Sequence, residues 1–250
     1  MTVGLGGEQI EGRRAVRELL AANRRAVREI WIAEGHDDAG GVGRIVALAR
    51  RQGVPVRTVA RSRLDAAART DAPQGVLGFA GPLPEARIDE LVGRRAGSSA
   101  PFLLVLDGVT DPHNVGALLR TAECAGATGA ILPRHRAAHV TPTVAKAAAG
   151  AIEYLPIAVV PGIPGAIRAL ADAGVWTVGL DPGVRTSLWD LELATEPVAL
   201  VLGAEGRGLS RLVRARCDVL VAIPQRGATE SLNVAAAGAL ACFEVARRRA

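Results

Sequence analysis

The feature that most constrains this chain is the alternation, from Pro101 onward, of short continuous apolar runs with helical stretches. Phe102 to Leu106 (FLLVL), Ala130 to Leu132, Val175 to Leu180, Val198 to Leu202 (VALVL) and Val219 to Ile223 each read as a strand. A helix is predicted between the first two, from about Val115 to Ala125. Strands with no polar face, joined through helices, predict a parallel sheet covered on both sides and therefore an α/β domain. No internal repeat interrupts the pattern.

The preceding residues predict a separate, smaller α/β unit. Glu11 to Asn23 has helical spacing through Val16, Leu19 and Leu20, and Arg28 to Ala33 is β-prone. Val42 to Arg51 is helical with Ile45, Val46 and Leu48 inward, Val54 to Val59 alternates like a strand, and Gly75 to Ala80 (GVLGFA) closes the sheet. Gly81-Pro-Leu-Pro84, a short helical stretch from Arg87 to Arg95 and the run Gly97-Ser-Ser-Ala100 have the composition of a linker. The predicted boundaries are residues 8–81, a linker at 82–100, and residues 101–250.

At 250 residues and 49% hydrophobic content the chain can bury the cores of two such domains. No window approaches the roughly 18 consecutive apolar residues of a membrane span. Met1 to Gly12 carries acids and glycines where a signal peptide needs a basic flank and an apolar run, so a cytoplasmic protein is expected. Cys124, Cys217 and Cys242 are far apart in apolar contexts and read as reduced, buried, small hydrophobes. The four histidines also lack ligand spacing, so no metal site is expected.

The net charge of +5 suggests a polyanionic partner. Lys146 is the only lysine, so the excess is carried by arginine. Arg13, Arg14, Arg24, Arg25, Arg28, Arg50, Arg51, Arg57, Arg61 and Arg63 punctuate the first unit. Individually they suit solvated helix faces, and together they make an RNA-facing surface.

Three places in the second unit put polar residues directly after a predicted strand, where ligands bind in open α/β sheets. After Leu106 comes Asp-Gly-Val-Thr-Asp-Pro-His-Asn-Val-Gly-Ala-Leu-Leu-Arg120, in which Asn114 suits a helix cap and Arg120 falls on a related face nearly two turns on. After the VALVL strand comes Gly203-Ala-Glu-Gly-Arg-Gly-Leu-Ser210. Its glycines allow close backbone approach, and Glu205 needs a partner. After Ile223 comes Pro-Gln-Arg-Gly-Ala-Thr-Glu-Ser-Leu-Asn-Val234, in which Ser231 and Asn233 open an Ala-rich helix and Ser231 is a candidate cap. A nicotinamide-dependent oxidoreductase is the rival enzyme class. The GxxGxG spacing departs from the dinucleotide fingerprint, and Val221, Ala222 and Ile223 stand where a ribose-binding acid is expected.

Asn114-x-Gly116-x-x-x-Arg120, Leu202-Gly203-x-Glu205-x-x-Gly208 and Ser231-Leu-Asn-Val234 together resemble, in order and spacing, the three motifs of the SpoU/TrmH RNA 2'-O-methyltransferases. The resemblance covers essentially the whole chain. It implies a trefoil-knotted parallel-sheet (SPOUT) methyltransferase domain, a rare exception to the rule against knots, preceded by an L30e-like substrate-binding domain. It also implies a homodimer and an S-adenosyl-L-methionine cofactor, whose adenosine meets Gly203, Ile223 and Leu232. Asn114, Arg120, Glu205, Ser231 and Asn233 become the catalytic region, with Arg120 reaching the cofactor site of the opposite subunit. The implied substrate is RNA, foremost a guanosine of 23S rRNA. Another rRNA or tRNA nucleotide, including a thiostrepton-resistance target, and a non-catalytic RNA-binding assembly protein are the alternatives.

Overall fold

The structure, a computed structural model, describes residues 5–35, 41–93, 100–135, 140–227 and 232–250. It divides into two compact units: residues 1–84 with 139–154, and residues 85–138 with 155–250. Neither unit is contiguous in sequence.

The first unit begins with β1 (Gln9–Glu11), α1 (Arg13–Ala22), β2 (Val27–Ala33), α2 (Val42–Arg51), β3 (Val56–Val59), α3 (Arg61–Ala67) and β4 (Val76–Ala80). Its sheet has the order β1-β4-β2-β3, with β2 and β3 parallel and the other pairings antiparallel. β1 is absent from the sequence reading, which places Glu11 in the first helix. Glu11 is instead fully buried, and its carboxylate accepts hydrogen bonds from Gln9 Nε2, the Arg69 and Thr70 amides and the Thr70 hydroxyl. Those partners offset the desolvation that would otherwise expel it. On α2, Ile45 is buried as expected, but Val42 and Ala49 complete its inner face while Val46 and Leu48 are half-buried.

The second unit begins with α4 (Ile88–Val92), β5 (Phe102–Asp107), α5 (Pro112–Cys124) and β6 (Gly129–Pro133). Residues 139–154, which include α6 (Pro142–Ala147) and a 3-10 turn at Ala151–Glu153, fall with the first unit. The second unit resumes with β7 (Ile157–Val160), α7 (Ile163–Asp172), β8 (Trp176–Leu180), β9 (Val198–Gly203), α8 (Arg211–Arg216), β10 (Val219–Val221) and α9 (Val234–Arg249). All pairings in its six-stranded sheet, β10-β8-β9-β5-β6-β7, are parallel. β9 is buried along its whole length and β5 along all but its last residue, as expected of strands covered on both faces.

The arginines of the first unit do not all face solvent. Arg28, Arg50, Arg51, Arg57 and Arg61 are exposed, whereas Arg25 is buried and paired with Glu153. Arg25 Nε and Nη2 donate to the two carboxylate oxygens at 3.0 and 2.6 Å, and Nη1 donates to the carbonyls of Gly7 and Gly81, each at 2.7 Å. Arg25 therefore leaves the proposed RNA-facing set, because it is buried and four of its five N–H donors are taken up inside the unit.

The cysteine expectation also needs correction. Cys242 is buried and its thiol is pushed up to about 12 by burial, and half-buried Cys217 is likewise raised to about 12, chiefly by burial. Cys124 is exposed because it ends α5 on the side facing away from the sheet. Among the described residues no group of His, Cys, Asp and Glu could hold a metal ion, and no helix is long and apolar enough to cross a membrane.

Near the C-terminal end of α9, Glu244 is 5% exposed and accepts hydrogen bonds from Arg247 and Arg248. The Arg247 hydrogen bonds, aided by Arg248 and working against burial, hold its carboxyl down to about 2, from an ordinary value of 4.5. A carboxyl depressed by folding contributes stability that is fully present above its unfolded value and lost as pH falls through the folded one. Glu244→Gln is therefore expected to lower unfolding free energy at pH 7 by about 1–2 kcal/mol, discounted because Arg247, the chief partner, lies largely in water. Urea titrations should show the deficit constant above pH 5 and shrinking from pH 4.5 toward pH 2. A deficit that persists undiminished at pH 2.5 would refute the ionic origin.

Candidate active site

The register of β5 against β9 builds the site. Phe102 pairs with Val198 and the ladder runs to Asp107 beside Gly203, so the two polar segments leave neighbouring strands at the same level. β6 and β7 extend the sheet to one side of β5, whereas β9, β8 and β10 extend it to the other. The order therefore reverses between β5 and β9, and such a switch point opens a crevice at the strands' carboxyl ends.

Asn114 does not cap its helix, because α5 starts earlier than the sequence reading placed it. Pro112 occupies the first turn, and Asp111 is the cap, accepting from the His113 amide at 3.0 Å. Asn114 thus lies inside the first turn with its side chain buried, free to act on another element. Its Nδ2 donates to Glu205 Oε2 at 3.2 Å. Asn233 Nδ2 donates to Asn114 Oδ1 at 3.2 Å and to Glu205 Oε1 at 3.3 Å. Asn233 also caps α9, its Oδ1 accepting from the Ala235 and Ala236 amides at 2.8 and 3.4 Å. The helix-capping role expected of Ser231 is therefore filled by Asn233, and Ser231 itself lies outside the described residues.

Three sequence segments accordingly meet in one triangle, with two amides orienting one carboxylate. Glu205 is exposed and not enclosed in an apolar junction, and these amides are the partners its carboxylate requires. Arg120 is not part of the triangle. It lies on the exposed side of α5, about 9 Å along the axis from Asn114 and about 120° around it, and it makes no ion pair or hydrogen bond among the described residues. The expectation of a related face fails on helical periodicity.

Beside the triangle is a cavity of about 300 Å³, lined in part by Gly203, Glu205, Ile223, Leu232 and Val234. Its floor depends on glycine. A Cβ on Gly203 would stand 2.0 Å from the Gly208 carbonyl carbon, and Gly206 and Gly208 adopt φ of 75° and 64°. The loop after β9 thereby folds back on the strand end, with Ala204 and Gly208 bridged, and leaves backbone polar groups beside an otherwise apolar hollow. Such a hollow suits a flat, mostly apolar ring system held by backbone groups. Asp181 and Gln225 also line the cavity, and the sequence reading selected neither. Asp181 follows a predicted strand directly, which is the signal that marked the other three segments.

Residues 101–243 match the model of the SpoU rRNA methylase family, and residues 9–86 match that of the RNA 2'-O ribose methyltransferase substrate-binding domain. The chain belongs to the SpoU rRNA methylase family. It is 41% identical to the 23S rRNA (guanosine-2'-O-)-methyltransferase of Pseudomonas syringae pv. tomato, over 97% of this chain and 96% of that protein. Among solved structures it is similar to the SpoU methyltransferase AviRb of Streptomyces viridochromogenes in complex with AdoMet, with a TM-score of 0.79, 26% identity and coverage of 96% and 89% of the two chains. An AdoMet-bound rRNA methyltransferase from Sinorhizobium meliloti matches with a TM-score of 0.78, 26% identity and coverage of 96% and 87%. These matches span both units, and they agree with the parallel-sheet α/β fold and the preceding RNA-binding domain expected of a SpoU methylase.

Proposed function

We propose that this SpoU methylase transfers a methyl group from S-adenosylmethionine to the ribose 2'-hydroxyl of a guanosine in 23S rRNA. The observation that carries the reaction type is the Asn114–Glu205–Asn233 triangle set against the glycine-floored cavity. The nucleotide assignment rests on the identity to the Pseudomonas syringae enzyme over nearly the full length of both chains.

Bound in the cavity, S-adenosylmethionine supplies a methyl group already activated on a sulfonium sulfur. Gly203, Ile223 and Leu232 hold its adenosine, and the triangle fixes the hydroxyl that attacks, since alignment of the reacting atoms supplies much of such a rate enhancement. Arg120 serves that hydroxyl as an electrostatic support. A guanidinium keeps its proton in proteins, so Arg120 stabilises developing negative charge on oxygen, while the hydroxyl proton passes to solvent water at the exposed Glu205 side of the site as the methyl group leaves sulfur for oxygen. Ser231 joins the same region through the motif it shares with Leu232 and Asn233.

Because Arg120 faces away from its own triangle, the reading includes a homodimer in which Arg120 of the partner subunit completes each site. Exposed Leu240 and Phe243, on one side of α9, offer the apolar surface such a pairing would bury. The domain reading is a trefoil-knotted catalytic domain at residues 101–250 with an L30e-like RNA-binding domain at residues 8–81, in the cytoplasm. RNA affinity belongs to the first unit, which holds 14 of the 30 basic and 10 of the 25 acidic residues and thus +4 of the net +5.

The test is to map 2'-O-methyl positions in cellular rRNA with and without this protein. One guanosine of 23S rRNA should lose its methyl group in the deletion and regain it on complementation. Loss of a methyl group from a tRNA alone would overturn the substrate assignment, and no change in any RNA would overturn the activity.

A further inference from the structure

Among the described residues, the cavity beside Glu205 carries little polar chemistry of its own. Of the described residues that line it, only Asp181, Glu205 and Gln225 have polar side chains, and Glu205 is engaged by Asn114 and Asn233. The cofactor of the proposed reaction is nevertheless polar in the middle, where a ribose with two vicinal hydroxyls joins adenine to the sulfonium. Some group in the cavity has to receive those hydroxyls, or their desolvation opposes binding.

Strand order identifies the group. The sheet runs β10-β8-β9-β5, so the three strand ends that border the cavity stand in a row. Ile223 follows β10 at one end of the row, Gly203 ends β9 and Glu205 follows it at the other, and Asp181 follows β8 between them. Of the proposed adenosine contacts, Ile223 stands at one end of the row and Gly203 at the other, beside the reacting centre at Glu205. A cofactor laid along this row places its ribose at Asp181.

The carboxylate is also prepared for such a role. Asp181 Oδ1 accepts from the Gly183 amide at 2.7 Å, and Oδ2 accepts from Arg214 Nε. A carboxylate offers about four acceptor sites, so both oxygens retain capacity after those two bonds. Burial pushes the carboxyl up, but the hydrogen bonds from Arg214 and Gly183 outweigh it and leave the group below the usual carboxylate range. It is anionic, oriented and able to accept at neutral pH.

We propose that Asp181 binds the ribose diol of S-adenosylmethionine, accepting both hydroxyls on its carboxylate. This assignment rests on the methyltransferase reading of the cavity. It gives the chain the ribose-binding acid that the segment after Gly203 lacks, supplied from a neighbouring strand end.

The test is a ligand-by-residue cycle read by calorimetry on the full-length protein. The ligands are S-adenosylhomocysteine and its 2',3'-dideoxyribose analogue, and the proteins are the wild type, Asp181→Ala and Asp181→Asn. Removing both hydroxyls should weaken wild-type binding by about 30-fold, as expected for hydrogen bonds to a charged acceptor. Asp181→Ala should bind the parent ligand about 30-fold more weakly and lose less than about threefold further when the hydroxyls are removed. Asp181→Asn, which keeps one acceptor oxygen and nearly the same volume, should fall between. A merely structural Asp181 would weaken both ligands by the same factor in both variants, and that result overturns the assignment. Failure of the wild type to bind S-adenosylhomocysteine at all overturns the methyltransferase reading along with it, whereas binding without coupling removes only the role of Asp181.

Discussion

Arg25→Ala is expected to destabilise the protein by about 3–5 kcal/mol, the range for removing one partner of a buried ion pair. The Arg25 and Glu153 side chains are 4% and 1% exposed, and the guanidinium bonds both carboxylate oxygens and the carbonyls of Gly7 and Gly81. Alanine would leave a carboxylate buried without a counter-charge and two carbonyls without donors. Glu153→Ala should be comparable, since it strands a buried guanidinium. The double variant Arg25→Met, Glu153→Leu should recover much of the loss, because neither charge then remains to be desolvated. Urea unfolding of the four proteins measures both the loss in the single variants and its recovery in the double. Single variants that each cost less than about 1 kcal/mol would show that the pair is solvated in solution.

The same pair bears on how the chain is organised. Glu153 lies between β6 and β7 of the parallel sheet in sequence, yet it is buried in the first unit, where Arg24 also donates to its carbonyl. Cutting the chain at the Gly- and Pro-containing stretch near residue 82 would bare Glu153. Tests of cofactor binding therefore belong on the full-length chain.

What the sequence reveals, and what it hides, follows from the range of the interactions involved. β5 and β9 are legible because each is an unbroken apolar run, a pattern that burial on both faces demands locally. β1 is hidden because Gln-Ile-Glu has no strand signature and its acid is satisfied by amides 58 and 59 residues away. β7 and α7 fall in a stretch rich in proline and glycine, where Pro156, Pro161, Gly162, Pro164 and Gly165 resemble a loop. Pro164 in fact stands in the first turn of α7, where its missing amide hydrogen is no loss. In the site, Asn114, Glu205 and Asn233 are legible as motif residues, but their mutual hydrogen bonds depend on the β5–β9 register and on Asp111 capping α5. Asp181 was missed although it follows a strand as directly as the others, because no motif surrounds it.

Arg120→Ala is expected to reduce methylation by about 100-fold or more while cofactor affinity stays within about twofold of wild type. The loss corresponds to roughly 3 kcal/mol for one pre-organised electrostatic group at a developing charge. Affinity is spared because the cavity is lined by residues of its own chain, Arg120 not among those described, and the arginine serves the attacking hydroxyl and not the cofactor. Arg120→Lys should also be poor, since a point charge on a flexible stem does not reproduce the planar fork. Where the arginine acts can be read from mixed dimers. Pairing an Arg120→Ala chain with a chain whose cavity is blocked by Leu232→Arg leaves one intact cavity, in the Arg120→Ala subunit, and one intact arginine, in the blocked subunit. Action across the dimer joins those two and restores roughly half the wild-type activity per dimer, by the two-site symmetry of such an assembly. Action within one chain leaves each site lacking either its arginine or its cofactor. An assembled heterodimer that binds cofactor at one site yet stays inactive would place Arg120 in its own chain's site, which the 120° separation from Asn114 on a rigid helix opposes.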